Sequence, residues 1–77
     1  MTVKVSIETN PYRNGSLKYF LMKWALEKGE FTKEEFLAIV PEITQEREFK
    51  SKMTPEVQSK AWWNEFYNKH ETFVDLQ

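Results

Sequence analysis

The chain has 77 residues, a formal net charge of −1 and no cysteine, and a chain of this length forms one domain, residues 1–77. The lack of cysteine excludes disulfides, thiolate zinc sites and a cysteine nucleophile, and the charge differs from the strongly basic balance of typical nucleic-acid binders. No apolar run can span a membrane, and the N-terminal TVKVSIE lacks the apolar centre of a signal peptide, so we expect a cytoplasmic protein with no membrane partner.

The chain begins with a strand pattern followed by a loop. Residues 2–7 alternate between apolar and polar side chains, with Val3, Val5 and Ile7 on one face, which predicts a half-buried strand. Residues 8–16 contain the turn dipeptides Asn-Pro and Asn-Gly, so we predict a loop in which Ser16 or Asn14 caps the next element.

Residues 17–28 have the periodicity of a helix, and Gly29 follows as a good C-terminal cap. The predicted core stripe consists of Leu17, Phe20, Leu21 and Trp24, with Ala25 at its edge. A second apolar stripe lies on the opposite side and consists of Tyr19, Met22 and Leu26. A helix that is apolar on two sides is buried on both. Either a strand covers the second stripe, or the stripe is a homodimer or partner surface.

A second helix begins after a short extended link at Glu30-Phe31. Thr32 and Glu35 have the spacing of a capping box, and Phe31 and Phe36 have the spacing of the accompanying hydrophobic staple. Pro41 disfavours helical geometry at the preceding residue, so we predict that this helix ends or kinks at Val40. The segment 41–53 is either a short helix over residues 43–50 or an irregular loop.

The third predicted helix covers residues 54–70, with Thr54 as N-cap and Pro55 at the first helical position. At 100° per residue, one side of this helix is aromatic and points inward: Ser59, Trp62, Trp63, Phe66, Tyr67 and His70. The other side is polar and points outward: Gln58, Lys60, Ala61, Asn64, Glu65 and Asn68. Residues 71–76 then form a strand that pairs with the N-terminal strand or with residues 30–31.

These elements predict an α+β fold with three main helices and a small two- or three-stranded antiparallel sheet. Catalysis finds little support, because His70 is the only histidine and no nucleophile–base set can be built around it. The glycines form no phosphate-binding loop, and the acidic residues of the middle segment lack the spacing of a calcium loop. We therefore expect a non-enzymatic protein without a metal or cofactor.

The outward side of the third helix is the candidate working surface. Asparagine can pair with adenine in the DNA major groove, lysine can bind guanine or phosphate, and alanine can contact the thymine methyl group. Lys50 and Lys52 lie just before the helix, beside its positive N-terminal end, where a backbone phosphate would sit. An ordinary solvated helix face explains the same residues. Trp62 and Trp63 similarly fit either core packing or the stacking of single-stranded bases.

The order of elements resembles a winged helix-turn-helix domain of the small phage and bacterial type. The resemblance lies in LKYFLMKWALEKGEFTKEEFLAIV (17–40), similar to helix 1, a short strand and helix 2, and in SKAWWNEFYNKHETFV (59–74), similar to a recognition helix running into the wing. It implies DNA binding and transcription regulation. The implied base readers are Lys60, Ala61, Asn64 and Asn68, and the implied phosphate contacts are Lys50, Lys52 and Lys69.

Many winged-helix domains bind proteins instead, so a protein-interaction module, such as an inhibitor or adaptor of a host enzyme, is the alternative. It would use Tyr19, Met22 and Leu26 or the acidic stretch. Residues 30–48 carry two basic and six acidic groups, whereas residues 1–28 carry five basic and two acidic groups, and residues 49–70 carry four basic and two acidic groups. The acidic middle would suit a protein partner.

Overall fold

The computed structural model describes residues 2–46, 54–69 and 71–76. In chain order its elements are β1 (Thr2–Val5), α1 (Leu17–Lys28), β2 (Glu30–Thr32), α2 (Lys33–Glu46), α3 (Pro55–Trp63), a π-helical segment (Asn64–Lys69) and β3 (Phe73–Asp75). This arrangement confirms the predicted α+β class, with three α-helices and a three-stranded antiparallel sheet among the described residues. No helix in these ranges is both long and apolar enough to cross a membrane.

The three strands lie in the order β2-β1-β3, so the N-terminal strand is central. Val3 is opposite Phe31 of β2 and Asp75 of β3. Of the two partners predicted for the last strand, the N-terminal strand is therefore the one observed, and residues 30–31 pair with the other edge of β1. β1 is shorter than predicted and ends at Val5. The amide of Ser6 still donates to the carbonyl oxygen of Thr72 at 2.7 Å, so the two chain segments stay together beyond the ladder.

α1 has the bounds that its sequence predicts, because both of its caps form. The hydroxyl of Ser16 accepts from the amide of Tyr19 at 3.1 Å, and Gly29 adopts φ 76° while donating to the carbonyl oxygen of Ala25 at 2.8 Å. Its buried side is rotated from the predicted stripe. The fully buried residues are Leu21, Met22 and Ala25, whereas Leu17, Phe20 and Trp24 are half-buried.

The predicted interaction stripe of Tyr19, Met22 and Leu26 therefore requires a correction. Met22 has no exposed surface, and Tyr19 and Leu26 are half-buried. The reason is that α1 contacts β1 and β2 as well as α2, so it lies between the sheet and a helix. Its second apolar side is part of the interior rather than a continuous surface.

α2 begins with the predicted capping box. The amide of Glu35 donates to the hydroxyl of Thr32 at 3.1 Å, and the amide of Thr32 donates back to the Glu35 carboxylate at 3.1 Å. Of the two outcomes predicted at Val40, an end or a kink, the end is wrong, since α2 continues through Pro41 to Glu46. Of the alternatives for segment 41–53, residues 43–46 are thus helical, and the remainder lies outside the described residues.

The core is an aromatic cluster around Phe36, the staple residue of α2, which is completely buried. Its ring centroid lies 5.5 Å from that of Phe73, 5.7 Å from Trp63 and 5.9 Å from Phe66. Phe31 adds a stacked contact at 6.2 Å, which is the hydrophobic staple seen in three dimensions. Aromatic pairs at these distances stabilise the fold by more than their buried area alone would. One cluster of aromatic side chains therefore connects β2, α2, α3 and β3.

Candidate nucleic-acid interface

α3 begins where the sequence predicts. The hydroxyl of Thr54 accepts from the amide of Val57 at 3.4 Å, and Pro55 occupies the first turn. The regular α-helix stops at Trp63, and residues 64–69 continue as a π-helix, whereas the sequence predicts one uninterrupted helix over residues 54–70. π-Helical turns occur frequently at functional sites. The predicted inward position of His70 lies outside the described residues.

The predicted rotation of this helix is confirmed on its aromatic side. Trp63 is 5% exposed, and Ser59 and Phe66 are also buried. Trp63 stacks on Tyr67 with ring centroids 4.9 Å apart, and Trp62 stacks on Phe66 at 6.0 Å. The rings on this side thus pack on one another and on the core.

The polar side is exposed at the four positions for which the sequence predicts base reading: Lys60, Ala61, Asn64 and Asn68. Gln58 is a correction, because it was placed on this outward side and is buried at 5% exposure. Its neighbour Ser59 lies 3.0 Å from the carbonyl oxygen of Leu37, so the first turns of α3 pack against α2. The exposed surface of the polar side therefore begins at Lys60.

Asn64 and Asn68 form a coupled pair on this surface. The side-chain amide nitrogen of Asn68 donates to the side-chain oxygen of Asn64 at 2.7 Å. An amide carries both an acceptor oxygen and an NH₂ donor, so the pair still presents the NH₂ of Asn64 and the oxygen of Asn68. A donor beside an acceptor is the pattern that pairs with the major-groove edge of adenine.

Glu65 lies between these amides and carries the one negative charge of the proposed reading side. Its carboxylate pairs with Lys18 at 3.3 Å and, more loosely, with Lys69 at 3.9 Å. Two ammonium groups therefore reduce the repulsion that Glu65 would otherwise exert on a phosphate.

Lys18 is a residue that sequence reasoning missed. It belongs to the first turn of α1, 47 residues from Glu65, and its ammonium lies 5.6 Å from the ring centroid of Trp62 and 5.8 Å from that of Tyr12. A lysine at the start of a helix carries no local signal for this contact, since its partner lies 47 residues away in the chain. Only tertiary structure brings the charge to the proposed interface.

The remaining predicted residues fall into two groups. Lys69 is exposed, with 70% of its side-chain surface accessible, and is free to reach a phosphate despite its loose pairing with Glu65. Lys50 and Lys52 lie outside the described residues, so their predicted phosphate contacts stay predictions.

In the acidic middle segment, Glu34, Glu42 and Glu46 are exposed, and Glu35 pairs with Lys28 at 3.2 Å.

Two side chains near these elements have shifted pKa values. The hydrogen bond from the Thr32 amide, helped by Lys28, lowers the pKa of Glu35. The phenol of Tyr67 donates to the Asp75 carboxylate at 2.5 Å, and this bond raises the pKa of Tyr67. The second bond joins the π-helical segment to β3. Among the described residues, no group of acidic or histidine side chains is arranged to hold a metal ion.

No protein-family model, curated protein sequence or solved structure matches this chain.

Proposed function

We propose that this protein is a small, non-enzymatic DNA-binding protein that regulates transcription, and that α3 with the π-helical segment enters the major groove. The observation that carries the proposal is the exposed face formed by Lys60, Ala61, Asn64 and Asn68. The opposite side of the same helix is packed into the core through the buried Trp63 and Phe66. A reading helix must be held rigidly from behind while its polar side chains stay accessible.

The dimensions of this face suit the groove. An α-helix with its side chains is roughly 10–12 Å across, and the major groove is roughly 12 Å wide. The face combines the amide pair with Lys60, for guanine or phosphate, and with Ala61, for the thymine methyl group. The similarity of residues 17–40 and 59–74 to the winged helix-turn-helix pattern points to the same helix as the reader.

The decisive experiment is a titration of a labelled mixed-sequence duplex at several salt concentrations, followed by fluorescence anisotropy. Binding through phosphate contacts must weaken linearly in log–log form as salt rises. Lys60→Glu should reduce affinity about tenfold or more, because it replaces an attractive charge on the reading face by a repulsive one. Lys23→Glu is the matched control, since Lys23 is an exposed lysine of α1.

The proposal is wrong if duplex affinity at low salt does not exceed that of a neutral control protein of similar size. It is also wrong if Lys60→Glu and Lys23→Glu weaken binding equally, because the effect would then come from the net charge of the protein and not from the face that carries Lys60. Folding of both variants is checked by far-ultraviolet circular dichroism before the titration.

A protein-interaction module is the second candidate function. Its binding surface would be the exposed acidic residues of α2 rather than the half-buried stripe of α1. Glu34, Glu42 and Glu46 are accessible and make no ion pair within the described part of the chain. A basic protein bound there would be released by replacing all three with Gln and unaffected by Lys60→Glu. Binding that survives the triple replacement would exclude this surface.

A further inference from the structure

Glu65 is an unusual residue to find on a DNA-reading face, because its carboxylate repels phosphate. It is nevertheless fixed there: its side chain is 21% exposed and its oxygen lies 3.3 Å from the ammonium of Lys18. That ammonium is held from two further sides by the rings of Tyr12 and Trp62, at 5.8 Å and 5.6 Å from their centroids.

These contacts give Lys18 a preferred position that competes with phosphate. A lysine ammonium has three donors on a flexible stem and would otherwise extend to the nearest backbone phosphate. Here the carboxylate and two aromatic rings already surround it, and each cation–π contact adds a modest attraction. Lys69 differs, because it is 3.9 Å from Glu65 with 70% of its side chain exposed, so it remains available.

We infer that Glu65 is a specificity-determining residue that withholds Lys18 from phosphate, so that the protein binds duplex with one backbone contact fewer than its lysines permit. This inference rests on the proposed function. Backbone contacts add affinity without sequence information, whereas base contacts discriminate. Withholding one lysine therefore lowers binding to unrelated sequences and increases the share of recognition that depends on Asn64 and Asn68.

The test compares the salt dependence of mixed-sequence duplex binding between the wild type and Glu65→Gln. Each phosphate contact contributes about 0.9 to the slope of log affinity against log salt. Releasing Lys18 should steepen the slope by about 0.9, so that between about 50 mM and 200 mM salt Glu65→Gln loses about threefold more affinity than the wild type. At the lower salt it should bind several-fold more tightly.

Two further variants separate release of Lys18 from loss of a negative charge. Glu42→Gln removes an exposed carboxylate of α2 that has no ion pair in the described ranges, and it should leave the slope unchanged. Glu65→Asp keeps the charge but withdraws the carboxylate by one methylene group, so it should steepen the slope as Glu65→Gln does. Thermal unfolding of each variant establishes that it is folded under the titration conditions.

Lys18→Met completes the double-mutant cycle, since methionine keeps an unbranched apolar chain and removes only the ammonium group. In the wild-type background it should leave the slope unchanged, and in the Glu65→Gln background it should return the slope to the wild-type value. The inference is overturned, with the proposed function intact, if the wild type binds duplex but Glu65→Gln has the slope of Glu42→Gln, or if Lys18→Met already flattens the wild-type slope. If neither the wild type nor Glu65→Gln binds duplex, both the proposed function and this inference fail.

Discussion

The hydroxyl oxygen of Ser59 in α3 lies 3.0 Å from the carbonyl oxygen of Leu37 in α2. In a regular helix this carbonyl would accept from the amide of residue 41, but proline has no N–H. Ser59 therefore supplies a donor from a neighbouring helix, and α2 continues through Pro41 instead of ending there. The same hydroxyl lies 2.8 Å from the carbonyl oxygen of Pro55, so its single proton is shared between two acceptors.

Ser59→Ala should destabilise the protein by about 1–2 kcal/mol, because a part-buried carbonyl loses its donor. For a domain of this size, each kcal/mol lowers the melting temperature by about 4–8 °C. The measurement is thermal unfolding followed by circular dichroism. Pro41→Ala is the matched background, since alanine at position 41 supplies the backbone N–H that can donate to the Leu37 carbonyl oxygen. An equal cost of Ser59→Ala in both backgrounds would show that the hydroxyl does not compensate for proline.

Met22→Asp should unfold the protein or cost more than about 3 kcal/mol, because it puts a carboxylate at a position with no exposed surface. Urea denaturation measures the loss, and Lys23→Asp, at the exposed adjacent position, should cost far less. If the Met22→Asp variant failed to bind a protein partner, the failure would consequently indicate unfolding rather than a broken interface. A folded Met22→Asp variant with near-native stability would contradict the buried position of this residue.

The parts of the fold that sequence reasoning predicted are those with local causes. The Ser16 and Thr54 caps, the Thr32–Glu35 box and the turn at Gly29 each depend on residues within four positions of one another. The alternation in β1 and the aromatic side of the third helix also have local causes. Side chains repeat every 2.0 residues in a strand and every 3.6 residues in a helix, so either pattern can be recognised within one segment of sequence. The element order and fold class followed from these signals.

The parts that sequence reasoning missed depend on contacts between distant segments. Whether Met22 is core or surface depends on the strands that pack on α1, and the donor that reaches the Leu37 carbonyl near Pro41 comes from Ser59, 22 residues away. Gln58 is polar yet buried because α3 packs on α2 there. For the candidate site, the four outward residues were predictable from periodicity, whereas the charge that Lys18 brings to Glu65 was not.

Glu35→Gln should reveal a pH-dependent contribution of the capping box. The hydrogen bond from Thr32 and the charge of Lys28 lower the pKa of Glu35 in the folded protein. A lowered folded pKa means that the stabilisation is fully present above the unfolded pKa and is lost as pH falls through the folded value. The stability difference between wild type and Glu35→Gln should accordingly be constant near neutral pH and shrink in acid.

Denaturant unfolding at a series of pH values from neutral to strongly acidic measures this difference directly. Glu34→Gln is the control, because it removes the adjacent carboxylate outside the capping box. A difference between wild type and Glu35→Gln that stays constant down to the lowest pH would contradict the ionised capping carboxylate.

Tyr67 should titrate later than an ordinary tyrosine, because its phenol donates to the Asp75 carboxylate and ionisation would place two negative charges side by side. Its pKa is raised in the folded state, so the stabilisation from this bond is complete below the unfolded pKa of about 10 and disappears as pH rises through the folded value. Phenolate absorbance during a titration, compared between wild type and Tyr67→Phe, isolates this residue. Asp75→Asn should move its pKa back towards the ordinary value, since the amide accepts the bond without a charge. An unchanged Tyr67 titration in Asp75→Asn would mean that the π-helical segment is not held to β3 by this pair.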